Sequence, residues 1–171
     1  EKDADEPMPP ASMSKLMTLY MLFDRLKSGA LSLDDKFRVS ENAWRKGGAK
    51  SGSSPMFLDP KKRVKIKDLI RGIVVQSGND ACIVVAENIS GSESAFALEM
   101  TDKAKELGMT SSRFINASGW PHPDHRMSPR DLATLSRRLI EDFPEYYHYF
   151  KELEFTYNGI RQMNRNPLLY K

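Results

Sequence analysis

Apolar residues in this chain recur at helical spacing far more than they alternate. From Ser12 to Lys27 the run Met13, Leu16, Met17, Leu19, Tyr20, Met21, Leu22, Phe23 and Leu26 is apolar almost all round, and Gly29 stands where a helix C′ residue belongs. A helix with no polar face should be central and buried. Further helices are predicted over 68–76, ended by Ser77-Gly78, over 80–88, closed by Ser90-Gly91, and over 92–107, with Gly108 at C′. Ser128-Pro129-Arg130-Asp131 reads as a helix start, with Ser at N-cap, Pro at N1 and an acid at N3, and that helix should run to about Asp142. Strand signals are few. Residues 63–66 form one short candidate, and Glu154–Tyr157, Asn158-Gly159 and Ile160–Gln162 spell a β-hairpin with a type I′ turn. Residues 1–10 read as an extended, Pro-rich lead-in and residues 47–60 as a long Gly/Ser/Pro loop.

Composition narrows the class. With 171 residues, 40% of them apolar, the chain can bury one core but not two comfortable ones. A net charge of +3 is no nucleic-acid signature. No apolar run reaches the 18 residues or so of a membrane span. The lone Cys82 can form no internal disulfide, and on an apolar helix it reads as a packed small residue. The chain opens at Glu1 without Met or a signal peptide and stops at Asn166–Lys171 within what reads as a structural element, so an internal segment of a longer protein is expected.

Two short patterns could carry chemistry. Of 17 serines, Ser12 alone has a lysine three positions on, Lys15. Spacing i, i+3 puts both on one helical face. A helix N-terminus offers backbone N–H groups to an oxyanion, and a lysine losing solvation can serve as a base. Taken alone, an N-cap serine with a snorkelling lysine is the commoner origin of such a pattern. Ser77-Gly78-Asn79 sits on a tight turn between apolar helices, where a hydroxyl and an amide could pass a proton and grip a peptide bond. A turn with Asn79 capping the next helix accounts for it equally simply.

In order, S-x-x-K then S-x-N is the pattern of penicillin-binding proteins and β-lactamases. Pro10-Ala-Ser12-Met-Ser-Lys15-Leu-Met-Thr18 resembles the nucleophile segment of the low-molecular-mass D-alanyl-D-alanine carboxypeptidases. Leu69 to Cys82, around Ser77-Gly-Asn79, resembles their second motif with its flanks, and Glu154 to Asn166, Phe57-Leu58 and Ser128-Pro-Arg-Asp131 also look like the family. The resemblance runs in order along essentially the whole chain.

It implies an α/β (α+β) architecture of the β-lactamase/transpeptidase-like fold. Residues 1–171 would be part of the catalytic domain, mostly its helical lobe, with the central antiparallel sheet incomplete. It implies a serine hydrolase of peptidoglycan biosynthesis, periplasmic or otherwise extracytoplasmic, with no metal or cofactor and no nucleic-acid partner. A membrane anchor outside these residues stays open. Ser12 would attack the carbonyl between two D-alanines of a peptidoglycan stem peptide, and neutral Lys15 would take its proton. Ser77 would relay the proton to the leaving nitrogen, while Asn79 would bind the substrate amide and hold Lys15 in place. β-Lactams would acylate the same serine, and Trp120, near the mouth of the site, would shape access.

The family's third motif, Lys-Thr/Ser-Gly on a strand, is not found. Lys27-Ser28-Gly29 ends the nucleophile helix and Lys50-Ser51-Gly52 falls in the Gly/Ser/Pro loop, both ahead of the second motif. Ser40-Glu41-Asn42 is read as a chance S-x-N, too early and without helical context. His122 and His125, in Trp120-Pro-His-Pro-Asp-His125, are read as a solvated loop for want of further metal ligands. Tyr146, Tyr147, Tyr149 and Phe150 read as core and interface aromatics, and 61–63 as a solvated turn. The alternatives are a class A β-lactamase, disfavoured by Gly78 in the second motif and by the lack of a Glu-x-x-Leu-Asn segment, and a non-catalytic helical module of the same fold.

Overall fold

The computed structural model describes residues 2–171. A 3₁₀ turn over Ala11–Ser14 leads directly into α1, Lys15–Lys27. The chain continues through β1 (Lys36–Arg38), α2 (Glu41–Gly47), β2 (Arg63–Lys65), α3 (Ile66–Gln76), α4 (Asn79–Ser90), α5 (Glu93–Glu106) and α6 (Pro129–Asp142), and then the strands β3 (Glu154–Tyr157) and β4 (Ile160–Met163).

The all-round apolar run does form the central helix. Met17 through Phe23 are buried without interruption, and α1 packs against α4, α5 and α6. Helix α4 is the second buried rod, with Asn79 through Ala86 all buried. Around this pair the amphipathic helices lay one face inward: α5 through Phe96, Ala97, Met100 and Ala104, and α6 through Leu135 and Leu139. Ser128 caps α6 as the sequence indicates, its Oγ accepting from Asp131 N at 3.1 Å. Tyr20 donates to Asp142 Oδ2 at 2.6 Å and meets the Phe143 ring edge-on, which fastens the end of α6 to α1.

Two antiparallel ribbons flank the helices. β1 pairs with β2 in the register Phe37 to Val64, and β3 with β4 in the register Phe155 to Gln162. Asn158 and Gly159 both have positive φ (47° and 74°), the type I′ geometry that the Asn-Gly pair favours. This second ribbon packs on α3.

Three expectations are corrected. The lead-in is not extended throughout: residues 2–5 form a turn, Met8 and Met127 exchange two backbone hydrogen bonds, and Ala4 O accepts from Arg130 N at 2.8 Å. Ser40 does stand in helical context, capping α2 with its Oγ accepting from Ala43 N at 2.9 Å. Helix α2 has only seven residues and a mixed pattern, so periodicity could not expose it. It lies so close on α4 that a Cβ on Gly47 would overlap the backbone of Asp80. The solvated-loop reading of His125 also fails, because the ring is 2% exposed. Tyr149 is buried and Tyr146 stacks on Phe23, as core aromatics should, whereas Tyr147 is exposed.

Candidate active site

The first motif is built on a break in regularity. Ala11 adopts φ +50°, and the chain then winds as a 3₁₀ turn rather than as the first turn of an α-helix. In a 3₁₀ turn residues i and i+3 eclipse one another. Ser12 and Lys15 are so spaced, and Lys15 Nζ lies 3.1 Å from Ser12 Oγ. Ser12 is exposed, whereas Lys15 is 4% exposed. The amine also donates to the Ser118 carbonyl oxygen at 2.8 Å. Burial pushes Lys15 below the ordinary lysine pKa, and the positive charge of Arg165 pushes in the same direction. A buried amine with a depressed pKa, one hydrogen bond from an exposed hydroxyl, is an arrangement able to activate that hydroxyl as a nucleophile.

The second motif closes α3. Ser77 is its C-cap residue in the left-handed region (φ 59°, ψ 43°), sparsely populated for a residue with a Cβ. Its N–H donates to Ile73 O, and Gly78 N donates to Gly72 O. Asn79 is not the cap of α4. It is the helix's first residue, its N–H donating to Ser54 O at 2.8 Å, and its side chain lines a cavity of about 350 Å³. Among the described residues no hydrogen bond joins the Ser77 or Asn79 side chain to Ser12 or Lys15, and Lys15 is held by Ser118 O rather than by Asn79. Asp80, fully buried behind the motif, accepts from Met56 N, Leu58 N and Ala81 N. It thereby pins the 53–58 segment against α4. Burial raises the Asp80 pKa despite those donors, and pushes the Cys82 thiol up to about 12, which leaves Cys82 as inert packing.

Trp120 shares the cavity with Asn79, together with Lys46, Ile83, Glu93, Asn116 and Ser118, and is 53% exposed at its rim. Asn116 shapes this loop, its Oδ1 accepting from Gly119 N and its Nδ2 donating to Trp120 O. Glu93, its pKa raised by burial, accepts from Ala117 N. Ser12 with Lys15, and Asn79 with Trp120, are therefore brought together in pairs.

Sequence reasoning missed Ser118, whose contribution is a backbone carbonyl, and Arg165, whose Nη1 donates to Ser54 Oγ at 2.6 Å. It also missed His125, which bonds Ser14 Oγ at 2.7 Å. None of these carries a local signal, because each partner is about 100 residues away in the chain. Neither Lys-Ser-Gly tripeptide lies on a strand: Lys27-Ser28-Gly29 spans the end of α1, and Lys50-Ser51-Gly52 follows α2 through a 3₁₀ turn.

S-x-x-K at the head of a buried helix and S-x-N at a strained turn are two of the motifs shared by penicillin-binding proteins and β-lactamases. The family model of the D-alanyl-D-alanine carboxypeptidases matches residues 1–171, and the chain belongs to that family. It is 44% identical to the D-alanyl-D-alanine carboxypeptidase DacC of Escherichia coli, over 99% of this chain and 43% of that protein. It is 41% identical to DacA of the same organism, over 99% of this chain and 42% of that one. The chain thus spans less than half the length of these curated relatives. Penicillin-binding protein 6B of E. coli superposes with a TM-score of 0.93 at 39% identity, covering 99% of this chain and 54% of that one. A penicillin-binding protein of Listeria monocytogenes, in its cefotaxime-bound form, superposes with a TM-score of 0.83 at 28% identity, covering 99% and 67%. The penicillin-binding-protein fold expected from the sequence is therefore present.

Proposed function

We propose that the protein carrying this chain is a serine-type D-Ala-D-Ala carboxypeptidase that removes the terminal D-alanine from peptidoglycan stem peptides. The 3.1 Å contact between Lys15 Nζ and Ser12 Oγ, with Lys15 buried, is the observation that carries it. Lys15, deprotonated, accepts the Ser12 hydroxyl proton as Oγ attacks the carbonyl carbon of the penultimate D-alanine. The tetrahedral oxyanion is stabilised in part by the Ser12 backbone N–H. The C–N bond then breaks as Ser77 gives its hydroxyl proton to the departing D-alanine nitrogen and is reprotonated by Lys15, which regenerates the neutral amine and leaves an ester on Ser12. Asn79 holds the substrate amide in the cavity whose rim Trp120 forms. Water hydrolyses the ester, returning Ser12 and a stem peptide one residue shorter. A β-lactam acylates Ser12 by the same steps, its ring amide standing in for the scissile bond.

These 171 residues are read as the helical part of a larger catalytic domain. The share of the relatives that they match supports this. The strand-borne third motif and the second oxyanion donor belong to the remainder. The site of action is extracytoplasmic, where peptidoglycan lies; no helix among the described residues is long and apolar enough to cross a membrane.

The test uses the full-length protein with a fluorescent penicillin and with a peptide ending in D-Ala-D-Ala. Covalent label on Ser12, lost in Ser12→Ala, together with release of free D-alanine, is expected. Absence of label on the wild-type protein overturns the proposal. Rapid turnover of the penicillin in place of a lasting adduct points to a β-lactamase instead.

A further inference from the structure

Between the two members of the first motif lies Ser14, a residue that the proposed chemistry does not use. Its side chain is fully buried, and its Oγ is 2.7 Å from Nε2 of His125, 111 residues away. The other ring nitrogen, Nδ1, accepts from Ile115 N at 3.0 Å. Accepting at Nδ1 places the single hydrogen of a neutral imidazole on Nε2, so His125 donates to Ser14. Burial, with His122 nearby, pushes His125 down to about 4, and the ring is neutral at physiological pH. The Phe114 ring meets it edge-on and fixes its plane.

This contact belongs to a set. Ser14, Lys15 and Thr18 each send a side chain to the 115–125 segment: to His125, to Ser118 O and to Ala117 O. Gly119 lies flat against the same turn, where a Cβ would overlap Ala11 O and sit 3.1 Å from Ser14 Oγ. Of the three tethers, that to Ser14 alone acts between Ser12 and Lys15. It falls on the 3₁₀ turn whose winding eclipses the two side chains. In an α-helical turn the two positions would stand about 60° apart around the axis instead of eclipsed, which lengthens the reach from Lys15 to Ser12.

We propose that His125 is a positioning residue of the acylation step, which it serves by donating from Nε2 to Ser14 Oγ and so holding the turn that aims Ser12 at Lys15. The inference rests on the reading of Ser12 as the acylated serine. It assigns His125 no contact with substrate. What it predicts is a defect in acylation and not in reversible binding.

Two amide substitutions separate its two bonds. The Gln amide nitrogen reaches the place of Nε2, so His125→Gln keeps the donor to Ser14. The Asn amide reaches only the place of Nδ1, so His125→Asn keeps the partner of Ile115 N and drops Ser14. Stopped-flow reaction of the full-length protein with a fluorescent penicillin yields the reversible dissociation constant and the acylation rate constant separately, and a thermal melt of each variant reports folding. The expected result is an acylation constant lowered tenfold or more in His125→Asn and in Ser14→Ala, with the dissociation constant within twofold of wild type. His125→Gln should stay within threefold of wild type in both. The double variant Ser14→Ala/His125→Asn should be no slower than the worse single variant, because both cut one link. Equal acylation losses in His125→Asn and His125→Gln, or multiplicative losses in the double variant, overturn the proposal. If His125→Asn does not fold, Ser14→Ala, which removes one oxygen, carries the test, and wild-type acylation in that variant overturns it. Failure of the underlying reading is distinct: the wild-type protein would then take no label on Ser12.

Discussion

Asp80→Ala is the substitution whose cost follows most directly from the structure. The carboxylate is fully buried and accepts from Met56 N at 2.9 Å, Leu58 N at 3.1 Å and Ala81 N at 2.9 Å. Met56 and Leu58 are themselves 0% and 2% exposed, so water cannot readily replace the lost acceptor. Each buried orphan N–H costs about 1–3 kcal/mol. Removing an ionised group from a dry site returns part of this, since the raised pKa shows that burial opposes its charge. A net loss of roughly 2–4 kcal/mol is expected, or a fall in Tm of about 5–15 °C in a domain of 150–250 residues. Asp80→Asn keeps one acceptor and should lose about half as much. Because the 53–58 segment carries Ser54, which holds both Asn79 N and Arg165 Nη1, acylation by penicillin should slow as well. Thermal and urea unfolding of the full-length protein, beside acylation kinetics, make the measurement. A change of less than about 0.5 kcal/mol in Asp80→Ala would refute the premise that these amides depend on the carboxylate.

Three further outcomes are expected. The acylation rate should rise with pH as Lys15 loses its proton, and level off below the ordinary lysine value of 10.5; Arg165→Ala removes a cation that favours the neutral amine, so a limb that moved down or stayed in place would contradict the assignment. His125 titrates near 4 when folded against 6.5 otherwise, so the unfolded chain binds the extra proton between those values. Stability should therefore be intact above 6.5 and fall by roughly 2–3 kcal/mol toward pH 4, a loss that urea midpoints should show in wild type and show reduced in His125→Gln. Gly119→Ala must fit a Cβ against the Ala11 carbonyl at φ +83°, and should cost about 2–4 kcal/mol by urea unfolding and depress labelling of Ser12.

What could be read in the sequence was what neighbours along the chain decide. The Ser128 cap with Pro129, the Asn158-Gly159 turn and the all-apolar α1 each depend on fewer than twenty consecutive residues, and each formed where expected. The Ser12–Lys15 spacing was legible for the same reason, although the turn that realises it is 3₁₀ and not α-helical. Helix α2 escaped because seven residues with Trp44 among charged neighbours carry no period. His125 was misread because nothing in Pro-Asp-His-Arg reveals that the ring will turn inward to a serine 111 positions earlier. The grip of Ser118 O on Lys15 was invisible for a simpler reason, since every residue has a carbonyl.

The tethers from Ser14, Lys15 and Thr18 span 111, 103 and 99 residues of intervening chain. Local helices can form in microseconds, but contacts of such sequence separation must await closure of a loop of about a hundred residues. During refolding, α1 could thus be helical and buried while its serine remained inert. Reactivity toward penicillin would then return only with that closure, later than helical circular dichroism. A covalent drug would in that case act as a clock for chain closure, scoring only those molecules whose two ends of the lobe have met.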